Sequence, residues 1–474
     1  MQVSQFLDEF RPFRRGELAL ARRLRDDPIF LPQAHLDVVR YALRLAQISS
    51  VGSAKRDALV DRIGFARLRL LQLLAPVLPT DPEQIDASAL FELVPRIAAL
   101  VEGARRNILD SELASEESLD AEVGHKRLAL VLGGAAGSAY VYLGALRRLA
   151  ELDLEPGYLI GCSMGSILAV IRARTRHFDL DELFDEVRLL SARAVFRAPT
   201  PVARYGLPAA LRFDLRRAIG ESFTDRSGAE LRLRDLDIPV DTLVAGLSSG
   251  ALAGPREEYA RLVGPEVQSA AGLSELRGGA LARAVSAIVS LAMSRRMLVP
   301  FAFGRDGDTA DLPALDAAGF SAAIPTLLHY DLDHSSAILD ALFEAHGLVS
   351  LIDGALASAV PGRHAWEAIE AGRLGARNCA IVALDALAAR GGVSTALGPI
   401  QRVISATAER DKPYWDLCVR FRSAPSMLEV FPRESVVRGA ADDGERQFEE
   451  TAQLLTRLLA PVPAWRQLSA RVGS

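Results

Sequence analysis

Apolar residues recur at helical spacing in Leu36–Ala46 and again in Ala58–Leu78, with punctuation at Pro32, Gly52 and Pro79–Pro82. Residues 1–124 therefore predict a helical region. From Arg105 to Gly124 the pattern turns acidic and polar (Asp110, Glu112, Glu116, Glu117, Asp120, Glu122), as in a solvated helix or linker. Nearer the start, Phe6, Phe10, Phe13, Leu20 and Leu24 fall near one helical face beside Arg11, Arg14, Arg15, Arg22, Arg23 and Arg25. A basic amphipathic helix can lie on an anionic membrane, which makes peripheral membrane contact one reading. Gly16 and Glu17 interrupt the pattern and Asp26–Asp27 follow it, which favours a solvated helix face.

The period changes at Lys126. Arg127–Leu132 is a short strand-like run, Gly133–Gly137 a loop, and Ala139–Leu152 helical; Gly157–Gly161 is again strand-like, and Ser163–Ala173 opens another helix. Strand, loop, helix, strand, helix is a βαβ unit, so an α/β domain with a parallel sheet and helices on both faces is expected. Asp241–Ala245, Ser350–Ile352 and Cys379–Leu384 supply later strands. The expected organisation is a helical region (1–124), an α/β domain (125–390) and a C-terminal extension (391–474) packed on that domain.

Composition narrows the function classes. Of 474 residues, 50% are hydrophobic and 24% charged, ample material for a packed core and too apolar for intrinsic disorder. A formal net charge of −5 argues against a nucleic-acid binder. Three cysteines (Cys162, Cys379, Cys418) make neither a disulfide framework nor a structural zinc cage. No signal-type apolar region and no membrane-spanning apolar run is present, so a cytoplasmic location is expected. The basic residues are skewed: three lysines (Lys55, Lys126, Lys412) leave 52 of the 55 to arginine. Genome base composition accounts for such a skew, and guanidinium groups facing phosphates or lipid headgroups are the alternative.

The chemistry centres on Gly161-Cys162-Ser163-Met164-Gly165. In G-x-S-x-G the two glycines allow a tight strand-to-helix turn that pushes the serine hydroxyl out at the top of a sheet, beside a helix N-terminus that favours negative charge. A second copy, Gly246-Leu247-Ser248-Ser249-Gly250, runs into Gly254-Pro255, which would break a following helix, so Ser248 reads as a turn residue and Ser163 as the nucleophile. The loop Gly133, Gly134, Ala135, Ala136 and Gly137 ends the preceding strand, where its amides can serve as an oxyanion hole. A dinucleotide loop is the rival, but G-x-G-x-x-G is not satisfied. Two bases remain open at this point: His364 following a carboxylate such as Asp353 in a Ser-His-Asp arrangement, or Asp353 itself.

These residues resemble the patatin-like phospholipases. The glycine-rich loop, the G-x-S-x-G one βα unit later, Ala322-Ala323-Ile324-Pro325, and Asp353-Gly354-Ala355 followed by Val360-Pro361 match that family's motifs in order over roughly residues 126–365. The resemblance implies a three-layer α/β/α fold and a Ser163–Asp353 dyad without histidine. It further implies cleavage of acyl esters of phospholipids or other lipids, with a lipid as the binding partner and no metal or organic cofactor. There are departures. The family's G-G-G-x-[RK]-G becomes Gly134-Ala135-Ala136-Gly137-Ser138-Ala139, so the basic residue is Ser138, and Ala355–Ala359 lacks the family's second glycine and polar residues. A catalytically weakened lipid- or partner-binding protein is therefore the alternative function, and a Ser-His-Asp carboxylesterase a third. His329-Tyr330-Asp331-Leu332-Asp333-His334 has metal-like spacing but reads as a polar loop before a helix near Ser335. Asp306, Asp308 and Asp311 read as a solvated loop.

Overall fold

A computed structural model describes residues 3–52, 56–177, 179, 181–182, 184, 195–197, 203–252, 254–262, 278–293, 297–387, 398–427, 430 and 432–472. The expected domain limit at residues 390 and 391 lies outside them. The chain divides into two compact units, one of residues 1–129, 366–381 and 450–474, the other of residues 130–365 and 382–449. The final 25 residues thus belong with the N-terminal helices.

The first unit is built from α1 (Val3–Asp26), α2 (Gln33–Leu45), α3 (Arg56–Leu74), α4 (Ala87–Leu109) and α5 (Glu116–Gly124), joined by Trp465–Val472. Side chains cap where the chain must turn: Asp86 accepts from Ala89 N–H and Ser115 from Ser118 N–H. Phe10, Phe13, Leu20 and Leu24 of α1 are buried, so the face expected at a surface is interior; the Phe6 side chain lies outside the description. Gly16 and Glu17 do not break this helix. Glu17 is itself buried, accepting from Arg44 Nε at 2.7 Å and Gln47 Nε2 at 2.9 Å, with Lys126 Nζ 3.1 Å away. Of the two readings of the acidic stretch before residue 125, the helix holds: α5 is solvated on one face, with Glu116 and Glu117 exposed like Asp110 and Glu112 before it, and packed on the other. Leu119 and Val123 of α5 enter the core, Asp120 accepts from Tyr41 and Arg105, and Glu122 accepts from the Arg377 and Asn378 amides.

A mainly parallel sheet flanked by helices has most of its residues in the second unit, with strand residues 127–129 and 379–381 counted in the other. The strands include β1 (Arg127–Leu132), β2 (Pro156–Cys162), β3 (Phe196–Arg197), β4 (Leu211–Phe213), β5 (Val240–Ser248), β6 (Leu298–Phe303), β7 (Leu328–His329), β8 (Leu348–Asp353), β9 (Cys379–Asp385) and β10 (Leu417–Arg420). The order is β10-β9-β1-β2-β5-β6, with β8 also on β5, while β3, β4 and β7 form a small second sheet. The central strands are buried almost throughout, as expected of apolar runs covered on both faces. The α-helix α6 (Tyr142–Glu151) comes after β1 and the 3-10 helix Ala136–Val141, and α7 (Met164–Ala173) follows β2 with only Ser163 between.

The sheet is mainly parallel, as expected, and two strands depart from that course: β6 and β8 run antiparallel to β5. The exception positions the site. β2 pairs with the first half of β5, ending at Cys162 opposite Leu243, and β8 pairs with the second half, ending at Asp353 opposite Val244. Because β6 pairs with β5 across both stretches, β2 and β8 must share the other edge, and their C-terminal ends meet head to head.

Candidate active site

Ser163 follows the last residue of β2 and precedes the first of α7, with φ 54° and ψ −130°. A non-glycine residue at positive φ is strained, and the strain turns its side chain out of the strand. The flanking glycines are dictated by contact. A Cβ on Gly161 would lie 2.3 Å from the Ser166 Cα, and one on Gly165 would lie 2.4 Å from the Leu132 carbonyl oxygen. The elbow is held from below: Ser163 N–H donates to Ser321 Oγ at 3.0 Å, and Ser321 Oγ donates to the Leu243 carbonyl at 2.6 Å.

Ser163 Oγ donates to Asp353 Oδ2 at 2.6 Å, and Asp353 Oδ1 accepts from Ala355 N–H at 2.8 Å. Both side chains are buried, with 5% exposure each. Burial pushes the Asp353 carboxyl up to about 6, although the bonds from Ser163 and Ala355 pull the other way. Each carboxylate oxygen has a donor already, and no imidazole stands between serine and aspartate. His364, the other candidate base, is buried and its backbone carbonyl accepts from Arg305. Ser248 ends β5 and faces Met297, followed by only the single turn Ser249–Ala251.

The glycine-rich loop lies against the serine: a Cβ on Gly134 would be 3.0 Å from the Ser163 Cβ. Three of the five expected donors are not available. The amides of Gly133, Gly134 and Gly137 donate to the carbonyls of Leu384 (3.0 Å), Ala359 (2.8 Å) and Met427 (3.2 Å). Among the described residues the N–H groups of Ala135 and Ala136 have no such partner. Ala136 takes φ 44°, a conformation more natural to the glycine it replaces.

Around this pair opens a cleft of about 1070 Å³, counting its mouth. Ser163, Asp353 and Gln401 are the polar side chains among the described lining residues; the rest are apolar, including Val285, Ile288, Leu327, Ile400 and Ile404. The polar stretch before residue 335 lies elsewhere and is used internally. Asp331 accepts from the Arg204, Tyr205 and Leu332 amides, and Asp333 pairs with Arg212 at 2.7 Å. Asp306 likewise accepts from Ala302 N–H at 2.8 Å, and Asp311 pairs with Arg232 and Arg234.

The family model described as patatin-like phospholipase matches residues 130–366. The chain belongs to that family. The matched patatin-like segment contains the elbow, the glycine-rich loop and Asp353, and it supports a lipid acyl hydrolase activity. No curated protein matches the chain. Sequence reasoning missed Ser321, whose signal was its place directly before the Ala322–Pro325 motif. It also missed the cleft residues beyond the matched segment, for which no local signal exists. Among the described residues no helix is long and apolar enough to cross a membrane.

Proposed function

We propose that this patatin-like protein hydrolyses lipid acyl esters through an acyl-enzyme on Ser163, with Asp353 as the base. The observation that carries the reading is the direct 2.6 Å bond between Ser163 Oγ and Asp353 Oδ2 at the end of an apolar cleft. Asp353 takes the hydroxyl proton as Oγ attacks the ester carbonyl carbon. The oxyanion is met by the amides of Ala135 and Ala136, near the N-terminus of α7. The carbon–oxygen bond to the leaving alcohol then breaks, and the alcohol takes the proton from Asp353. Water repeats the sequence on the acyl-enzyme: Asp353 accepts its proton, its oxygen attacks the acyl carbon, and Ser163 Oγ leaves and is reprotonated. The carboxylic acid departs.

A carboxylate is a weak base for an alcohol, so burial is what makes this chemistry workable: it lifts the Asp353 carboxyl to about 6, nearer to neutral. Only the ionised form is active. With a slow-leaving ester, kcat/KM is expected to rise with pH up to about 6 and to level off above it. Hydrolysis of a short-chain ester and of a phospholipid by parent, Asp353→Asn and His364→Ala tests the assignment. Loss of at least about a hundredfold in Asp353→Asn with activity kept in His364→Ala is expected. The reverse pattern would replace the dyad with a Ser-His-Asp triad.

A further inference from the structure

We propose that the chain beyond the family match builds the acyl-selecting wall of the cleft, with Ile404 as its principal determinant. The proposal rests on the acyl-hydrolase reading of Ser163. Residues 130–366 supply the chemistry, but Leu387, Ile400, Gln401, Ile404, Met427 and Val430 line the same cleft and all lie downstream of that segment. Ile400 and Ile404 are four apart on the helix Gly398–Asp411 and so share a face. That helix packs against Gly278–Met293, which contributes Ala284, Val285 and Ile288 to the lining. No side chain of this wall among the described lining residues is charged. Its chemistry suits a hydrocarbon chain, and each methylene withdrawn from water strengthens binding by up to about fourfold.

The wall is fixed to the catalytic machinery rather than laid over it. Thr407 Oγ1 accepts from Ala359 N–H at 2.9 Å, and the Ala359 carbonyl accepts from Gly134 N–H at 2.8 Å. Asp411 accepts from Ser358 Oγ and from Arg363 N–H at 3.0 Å. The segment following Asp353 is thus tied to this helix on one side and to the glycine-rich loop on the other. The second part of the wall is tied to the same loop. Ser138 Oγ donates to the Pro425 carbonyl, Gly137 N–H to that of Met427, and Tyr140 Oη to that of Val430. Ser138 occupies the position of the basic residue in the motif it resembles, and its hydroxyl here anchors the wall. Hydrogen bonds at both ends of the wall oppose its displacement, so volume gained at residue 404 is taken chiefly from the acyl chain.

The test compares the parent with Ile404→Trp and Ile404→Ala on butanoyl, hexadecanoyl and branched sixteen-carbon acyl esters. Thermal melts and fluorophosphonate labelling run alongside. In Ile404→Trp the ratio of hexadecanoyl to butanoyl kcat/KM is expected to fall about tenfold or more. In Ile404→Ala the ratio of branched to linear substrate is expected to rise by about threefold. Equal losses at both chain lengths, or unchanged ratios in both variants, would overturn the proposal. If Ile404→Trp has no cooperative melt, the Ile404→Ala ratio decides. A parent that neither labels nor turns over ester would sink the acyl-hydrolase reading instead. The wall is then tested by displacement of parinaric acid by octanoate and hexadecanoate, where an unchanged preference in both variants overturns it.

Discussion

Asp353 is a buried carboxylate, and its burial costs stability. Folding raises its carboxyl from 3.8 to about 6, so the folded form binds the proton more tightly than the unfolded chain. Stability therefore falls as pH rises from about 3.8 to about 6, and the full penalty, at most about 3 kcal/mol, is present at neutral pH. Asp353→Asn removes the buried charge while an amide can still accept from Ala355 N–H. Differential scanning calorimetry at pH 7 is expected to show a higher Tm than the parent, in a protein that no longer turns over. A Tm that falls would mean the carboxylate is held by compensating interactions. Arginine use is also settled by position at several sites. Arg44 donates to the Gly124, Leu458 and Ala460 carbonyls, and Arg67 to those of Ala46 and Ile48. These guanidinium groups satisfy carbonyls at helix ends and so do not face phosphates or lipid headgroups.

At the scale of elements, the β2–α7 elbow was legible because its determinants are local. The glycines at 161 and 165, the apolar run before them and the helical run after them all lie within about fifteen residues. The antiparallel course of β8 was not legible, since its direction depends on pairing with β5 about a hundred residues upstream. The same distance hid the fate of the glycine-rich loop: Leu384, Ala359 and Met427, which take up three of its amides, are remote in sequence. Ser321 acts between elements, at the end of the helix Ala314–Ser321, accepting the Ser163 amide while bonded to β5. Ser321→Ala leaves that amide without its acceptor and loosens a strained elbow. A roughly tenfold fall in kcat with KM unchanged is expected in steady-state assays, because positioning of the nucleophile and not substrate binding is disturbed. A rise in KM alone would count against it.

Across the whole molecule the helical unit carries an opposite pH dependence. Burial would raise the Glu17 carboxyl, but the charges of Lys126 and Arg44, with hydrogen bonds from Arg44 and Gln47, hold it at about 2. A depressed carboxylate contributes stability that is complete above about pH 4.5 and is lost as pH falls towards 2, about 3 kcal/mol in all. Glu17→Gln leaves Lys126 and Arg44 buried without their anion and is expected to destabilise this unit by roughly 3–5 kcal/mol at pH 7. It should also flatten the acid limb of unfolding followed by circular dichroism, and an unchanged acid limb would place the pH dependence elsewhere.

Whether Ser163 carries the acyl group is read by intact-protein and peptide mass spectrometry after fluorophosphonate treatment. One adduct per chain is expected, mapped to Ser163, absent from Ser163→Ala, and forming more slowly below about pH 6 as Asp353 is protonated. An adduct that persists in Ser163→Ala, on Ser248 or any other residue, would contradict the assignment of Ser163.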